Sequence, residues 1–491
     1  MTDIISQNIA DVKKRFLQLH PVNATSGGGF SFKNGLPLIK FDIASSQLPL
    51  YMDGSSLRLS GNFTAWQGAA GNVNLTNTEL NFLDGFCGVN QCIESVTIYS
   101  KRLNETLERI NTYYRLCPSI VSGTHACKDI ETRHSNYGNQ HCTAPLTRPG
   151  LNTYNGFNGV GAVPAANQRG IDFSIPLYAG ILNSGQDIDL SSISGQGGMV
   201  VEVLLRSDVG VIFGANATAN TASYQLSNLA LTVPVYELGG IGAQQVQGQV
   251  NQFNFNSWSS MFQTLNASDS VIAMTPGLSR VSSILMNFIT ASDLGNQAFN
   301  SSRLGGIAET RQLRWSKNGA LFPLQYRLET VAQGNNDTAK VNVNNPQSYH
   351  TYSVNADLFR NYLEGLTTDG YNKVRNCMSA YNNWAGGSTD RGQNSGRTGI
   401  LPSCSDGVAM LYDRFGSGVN FQQMVWSIQL QTSATNLLEI TDGVTGIAPA
   451  VPAVNIANNI DGTAATAQAC SIFYLNKNTL LLSPEGINVV R

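Results

Sequence analysis

The sequence predicts an all-β molecule built as two tandem β-sandwich domains, and three observations point that way. Apolar residues recur at every second position in many short runs, the pattern of strands that bury one face. Helical periodicity is scarce and occupies comparable places in the two halves of the chain. Glycine is abundant, at 48 of 491 residues, and the charged fraction is 13%, about half that of an average soluble domain. Such a chain makes many turns and wets its surface with neutral amides and hydroxyls. Its length exceeds what one small core organises, so two domains are the leading expectation.

From the N-terminus, residues 1–20 read as an amphipathic helix. Ile5, Ile9, Val12 and Phe16 recur at spacings of three or four, Thr2 or Asp3 caps the start, and Pro21 ends it. The run TSGGGF at 25–30 follows as a flexible connector. Residues 1–39 are therefore expected to form a helical arm outside the main core.

Beyond the arm, alternation takes over. IDFSIPL puts Ile171, Phe173, Ile175 and Leu177 on one face, and MVVEVLL does the same with Met199, Val201, Val203 and Leu205. LALTVPV aligns Leu229, Leu231, Val233 and Val235, and MVWSIQLQ aligns Met424, Trp426, Ile428 and Leu430. Pro176 and Pro234 lack a ladder donor and are expected at strand edges or ends. Two helices are expected: NETLERINTYYRL (104–116) after the strand-like ESVTIYS, and NADLFRNYLEGL (355–366) after the strand-like LFPLQYRLE. Each precedes a long Gly, Asn and Ser rich excursion, 122–170 and 380–406. The Gly- and Gln-rich passage at 237–252 marks a boundary, giving domains over 40–240 and 241–491. Sheets with one apolar face must bury it against another sheet, which makes each domain a sandwich or jelly roll.

Several function classes are disfavoured. A net charge of −2 and a pI near 6.2 do not suit a surface that grips nucleic acid, which needs clustered cations; Lys13-Lys14-Arg15 is the only compact basic run. No stretch approaches the roughly 20 apolar residues of a membrane span, and the first residues lack the apolar run of a signal peptide. The expectation is a chain made in a reducing cell interior, with its eight cysteines as free thiols rather than a disulfide framework.

The densest collection of coordinating side chains is SGTHACKDIETRHSNYGNQHC (122–142), with His125, Cys127, His134, His141 and Cys142. Structural zinc sites pair ligands two to four residues apart. Here one residue separates His125 from Cys127, and His141 adjoins Cys142, so a solvated loop is expected and metal binding stays open. Cys87 and Cys92, with Cys117, read as core thiols. No phosphate loop, H-E-x-x-H helix or G-x-S-x-G elbow occurs, and GGIGAQ (239–244) reads as a linker. Asp187, Asp189 and Asp208 are the nearest approach to a carboxylate pair, of a kind routine in turns. The expected assignment is no catalytic, cofactor-binding or metal-binding residue. Trp315, Phe322, Tyr326 and Trp426 fit core or interface anchors; Tyr137, Tyr154, Phe157 and Trp384 fall in the polar excursions.

Taken in order, IESVTIYSKRLNETLERINTYYRL (93–116), IDFSIPLYAGIL (171–182), SYQLSNLALTVPVYEL (223–238), ETRQLRWSKNGALFPLQYRLE (309–329), LYDRFGSGVNFQQMVWSIQLQT (411–432) and SIFYLNKNTLLLSPEGINVV (471–490) resemble successive passages of a known family. That family is the double jelly-roll major capsid proteins of tailless icosahedral double-stranded DNA viruses, of the virophage and Polinton-like type. The resemblance covers residues 40–491. It implies two eight-stranded jelly-roll (β-sandwich) domains with short helices and long inter-strand loops, the first loop forming an outward tower over 119–170. It also implies a homotrimeric, pseudo-hexagonal capsomer that tiles a viral shell, a virion location, and no enzymatic activity or sequence-specific nucleic-acid binding. The N-terminal arm is expected to point inward. There Ile5, Ile9, Val12 and Phe16 would dock on penton or minor capsid proteins or an internal membrane, with Lys13, Lys14 and Arg15 adding charge. Two other readings stand beside this one: a trimeric receptor- or glycan-binding spike, and a cupin-like metalloenzyme supported only by the His/Cys segment.

Overall fold

Strand pairing organises the chain from Lys13 onward. The computed structural model describes residues 13–116, 171–237, 251–290, 310–321, 328–329, 420–422, 426–432 and 468–490, apart from 26–28, 33–34, 44–49, 54–56, 68–79, 82–87, 183–186, 190–197, 212, 215–221, 266–268 and 484–485.

The first half contributes β1 (Lys13–Leu19), β2 (Gly29–Phe30), β3 (Leu38–Ile43), β4 (Leu50–Asp53), β5 (Arg58–Gln67), β6 (Leu80–Asn81), β7 (Ile93–Ser100), β8 (Thr106–Asn111), β9 (Ile171–Pro176), β10 (Asp187–Asp189), β11 (Met199–Leu205), β12 (Phe213–Gly214) and β13 (Ala222–Glu237). The long β13 is the spine of one sheet. Along one flank run β1 and β2; along the other run β4 and β5, which in turn pair with β10 and β9. The facing sheet has the order β3-β11-β7-β8. Counting end-to-end segments as single lines gives eight strands, B to I, ordered B-I-D-G in one sheet and C-H-E-F in the other. Neighbours in each sheet are distant in sequence, the strand order of a jelly roll.

The alternating residues supply its core. Met199, Val201, Val203 and Leu205 are buried, as are Phe173, Ile175 and Leu177 and the set Leu229, Leu231, Val233 and Val235. Each such side chain contributes about 1.5–3 kcal/mol on leaving water. Earlier in β13, Tyr224 and Leu226 face the core, so the inward parity changes between Leu226 and Leu229. The change falls at a register shift between Ser227 and Ala230, where Asn228 takes φ 50°. One extra residue in the left-handed region is what a β-bulge requires. Opposite it, Gly61 leaves room: a Cβ there would lie 2.6 Å from Leu229 Cδ2.

The second half contributes β14 (Asn251–Leu265), β15 (Asp269–Met274), β16 (Val281–Thr290), β17 (Thr310–Lys317), β18 (Ala320–Leu321), β19 (Leu328–Glu329), β20 (Trp426–Thr432), β21 (Gln468–Ser483) and β22 (Gly486–Val490). Here β21 is the spine, with β14 on one flank and β16 and β22 on the other. The facing sheet runs β15-β20-β17, then β18 and β19. These orders repeat B-I-D and C-H-E-F. The fold is all-β, two jelly rolls in tandem.

Three expectations need correction. Residues 13–19 form strand β1, paired from Lys13↔Glu237 to Leu19↔Leu231, not the end of a helix. Arg15, Leu17 and Leu19 alternate with Lys14, Phe16 and Gln18, and seven ladder positions along β13 outweigh a short helix that is marginal alone. Phe16 is thus a strand residue opposite Pro234, while Ile5, Ile9 and Val12 lie outside the described residues. The expected helix at 104–116 is strand β8 over Thr106–Asn111 followed by one helical turn at 113–116; Leu107 and Ile110 are buried, and β8 finishes the sheet edge. Pro176 ends its strand as expected, but Pro234 sits inside β13. It is tolerated because it falls where β13 changes partners, between Thr232↔Arg58 and Val235↔Met52. Six chain steps from Met52 to Arg58 lie opposite three from Val235 to Thr232, so on the β4/β5 flank the ladder is interrupted at Pro234. The expected helix at 355–366 lies outside the described residues.

Candidate functional site

Among the described residues, buried polar bonds gather where the two jelly rolls meet. Strand β8 ends the C-H-E-F sheet of the first, and its Glu108 is 2% exposed. A buried carboxylate must be matched by donors, and Glu108 finds them on both sides of the seam. Its Oε1 accepts from Gly180 N at 2.9 Å and from Ser257 Oγ at 2.7 Å, and its Oε2 accepts from Ile181 N at 2.9 Å. Gly180 and Ile181 follow β9 in the first jelly roll, while Ser257 lies on β14 of the second.

Immediately after β8, Thr112 adopts φ 50°, an unusual conformation for a β-branched residue. The kink turns the chain into the helical turn 113–116 and sends Arg115 across the seam. Arg115 is fully buried and donates from Nη1 to Ser471 Oγ on β21 at 3.1 Å; burial lowers its pKa from the usual guanidinium value. Tyr113 accepts from Tyr178 N at 2.9 Å, fixing the same turn to the segment after β9. Close approach completes the contact, since a Cβ on Gly180 would lie 1.9 Å from the Asn256 carbonyl oxygen.

A second buried network stands behind this turn. The Arg206 guanidinium lies 3.4 Å from the Tyr114 ring centroid and donates to Gly210 O at 2.6 Å. Tyr224 donates its hydroxyl to Arg206 O, and Gln91 donates to Gly210 O and Val211 O. These bonds support the turn from within the first jelly roll. On the outer face of the C-H-E-F sheet, Lys40, Glu202, Thr97 and Arg109 form one cross-strand row flooring a concavity of about 430 Å³. Lys40 Nζ and Glu202 are 2.6 Å apart, and that bond chiefly raises the Lys40 pKa.

The residues singled out from sequence are placed as follows. His125, Cys127, His134, His141 and Cys142 lie outside the described residues, as do Cys87, Cys117, Phe322, Tyr326, Tyr137, Tyr154, Phe157 and Trp384. Cys92 and Cys470 are free, buried thiols whose pKa values are raised by burial. Asp187 and Asp189 are on β10, opposite Asp53 and Tyr51. Asp208 accepts from Tyr224 N at 2.9 Å, a structural use of the carboxylate. Trp315 and Trp426 lie on β17 and β20. Among the described residues no group of His, Cys, Asp or Glu is placed to hold a metal ion, and no helix is long and apolar enough to cross a membrane. Glu108, Arg115, Gly180 and Ser257 were not foreseen. Glu108 stands between Leu107 and Arg109 in a run that reads as a solvated helix, and nothing local marks it as buried.

Two jelly rolls joined in one chain by a buried polar seam define the double jelly-roll architecture. The same architecture is found in solved viral capsid proteins. The chain is similar to the PBCV-1 virus capsid in its quasi-atomic model, with 11% identity, 98% of this chain and 97% of that chain covered, and a TM-score of 0.53. It is similar to the Faustovirus major capsid protein, with 11% identity, coverage of 96% and 91%, and a TM-score of 0.53. The Sputnik virophage structure gives 9% identity, coverage of 97% and 88%, and a TM-score of 0.51. No protein-family model matches the chain, and no curated protein matches it in sequence.

Proposed function

We propose that the chain is a major capsid protein that trimerises into a pseudo-hexagonal capsomer and tiles an icosahedral viral shell. The observation that carries this reading is the seam. Glu108 and Arg115 fix one jelly roll beside the other through buried bonds, so each subunit presents two β-sandwiches in a set relation, and three subunits supply six. Near-complete coverage of both chains in the match to the PBCV-1 capsid supports it. The low charged fraction of 13% also fits, because neutral flanks desolvate at lower cost when they meet copies of themselves.

In this reading the two domains divide within 238–250. Described strands up to Glu237 pair with one another, as do those from Asn251 onward, and β1 joins the first domain through its pairing with β13. Residues 1–12, with Ile5, Ile9 and Val12, are the part offered to penton or minor capsid proteins or an internal membrane, and the chain resides in the virion. The test is the purified protein's mass in solution by light scattering, with negative-stain imaging. Trimers of six-sided outline are expected; a stable monomer that forms no lattice at high concentration overturns the reading.

A further inference from the structure

The concavity on the outer face of the C-H-E-F sheet serves neither the core of the first jelly roll nor the seam. Two cross-strand rows build it. Lys40, Glu202, Thr97 and Arg109 lie in register across β3, β11, β7 and β8. Two residues along each strand, and so on the same face, Leu38, Leu204, Ser95 and Asn111 form the neighbouring row. Charges on such a surface ordinarily pair off with their neighbours, but here the pairing is incomplete at both ends.

At one end, Lys40 Nζ and the Tyr99 hydroxyl both meet Glu202 Oε1, at 2.6 and 3.2 Å. Glu202 Oε2 has no partner among the described residues, although its side chain is only 22% exposed. At the other end, Arg109 donates from Nε to Asn111 Oδ1 at 3.0 Å. That bond turns the guanidinium toward the second row and leaves both Nη groups without a partner among the described residues. Between the two ends, Ser95 lines the concavity and is 7% exposed; its hydroxyl has no hydrogen bond among the described residues. A nearly buried hydroxyl facing a space of about 430 Å³ is a group prepared for a ligand.

The unmet groups specify what that ligand carries. The Arg109 fork matches a carboxylate through two parallel bonds. Glu202 Oε2 accepts only, so it calls for hydroxyl donors, while the Ser95 and Thr97 hydroxyls both give and accept. Leu38 and Leu204 add an apolar edge for the C–H face of a ring. Two cations and one anion leave a single positive charge, which one carboxylate balances. An acidic peptide or a nucleic acid would bring further negative charges against Glu202. The volume lies within the range of small-ligand sites and suits a short saccharide.

We propose that this concavity binds an acidic sugar, with its carboxylate on the Arg109 fork and its ring hydroxyls on Glu202 Oε2 and Ser95. The site is complete within one chain, so it holds or fails independently of the capsomer reading.

The test titrates the full chain with a uronate-containing disaccharide, its neutral counterpart and inorganic phosphate by isothermal calorimetry. Carbon-13 labelled leucine methyl groups are followed by NMR in parallel. The disaccharide is expected to bind, the other two probes to bind about tenfold or more weakly, and the Leu38 and Leu204 methyl signals to shift. Arg109 is exposed, so Arg109→Ala should fold, as circular dichroism checks, and lose about tenfold or more in affinity for the uronate. Arg109→Lys keeps the charge without the fork and should lose most of that affinity too. Glu202→Ala separates the sugar from a simple anion: it should weaken the uronate, which needs the acceptor, and strengthen phosphate, which the carboxylate repels. No binding at millimolar uronate overturns the assignment, as does phosphate binding as tightly as the disaccharide, or uronate binding that Arg109→Ala leaves unchanged. Should Arg109→Ala fail to fold, the methyl shifts and the opposite effects of Glu202→Ala decide.

Discussion

Glu108 ties the two sides of the seam because its two oxygens serve donors from both jelly rolls. Glu108→Ala would leave the Gly180 and Ile181 amides and the Ser257 hydroxyl without their acceptor. A buried donor left unmatched costs about 1–3 kcal/mol, so a loss of about 3–5 kcal/mol is expected in denaturant unfolding followed by circular dichroism. Glu108→Gln keeps one acceptor oxygen but turns an NH₂ group toward an amide donor, and a smaller loss is expected. The buried thiols behave differently. Burial raises the pKa of Cys92 and Cys470 above the ordinary value of 9.0, so both stay protonated in the folded protein and resist alkylation at pH 8. Peptide mapping after iodoacetamide treatment should find them modified only once the chain unfolds. The sign for stability follows: above pH 9 the unfolded thiols ionise first, so unfolding becomes easier as pH rises.

At the scale of single elements, the bulge in β13 decides which way half a strand faces. Asn228 tolerates its φ of 50° as few side chains do. Asn228→Gly is expected to hold or slightly raise the melting temperature, whereas Asn228→Val should cost about 1–2 kcal/mol of backbone strain. Deleting Asn228 removes the parity change and turns Leu231, Val233 and Val235 toward solvent; the expected outcome is insoluble protein on expression. The same element shows what was legible beforehand. LALTVPV and MVVEVLL could be assigned from alternation alone, because one buried face imposes a period of two. β1 reads as helix because Phe16 fits both a helical and a strand spacing over so few residues, and its partner β13 lies over two hundred positions away. β8 reads as helix because Glu108, Arg109 and Arg115 resemble a helix's polar face, while Glu108 and Arg115 find their partners at residues 180, 181, 257 and 471. Long-range pairing settled both cases, and a local pattern does not contain it.

The molecule as a whole depends on whether its two jelly rolls behave as one body. Separate cores would unfold separately unless the contact between them were strong enough to couple the transitions. Buried Glu108 and Arg115 bonds and the approach of Asn256 to Gly180 provide that coupling. Gly180→Ala attacks the approach directly: a Cβ only 1.9 Å from the Asn256 carbonyl oxygen, and 3.0 Å from Glu108 Oε1, cannot be accommodated without parting two backbones, neither of which can swing away as a side chain would. Each core keeps its own buried residues, so the variant is expected to retain its β-sheet signature while a single calorimetric transition splits into two or broadens at lower temperature. If the seam also sets the geometry of the capsomer, the same variant should assemble poorly although both jelly rolls remain folded. One sharp transition at the wild-type temperature, with normal assembly, would mean that the seam neither couples the domains nor shapes the particle.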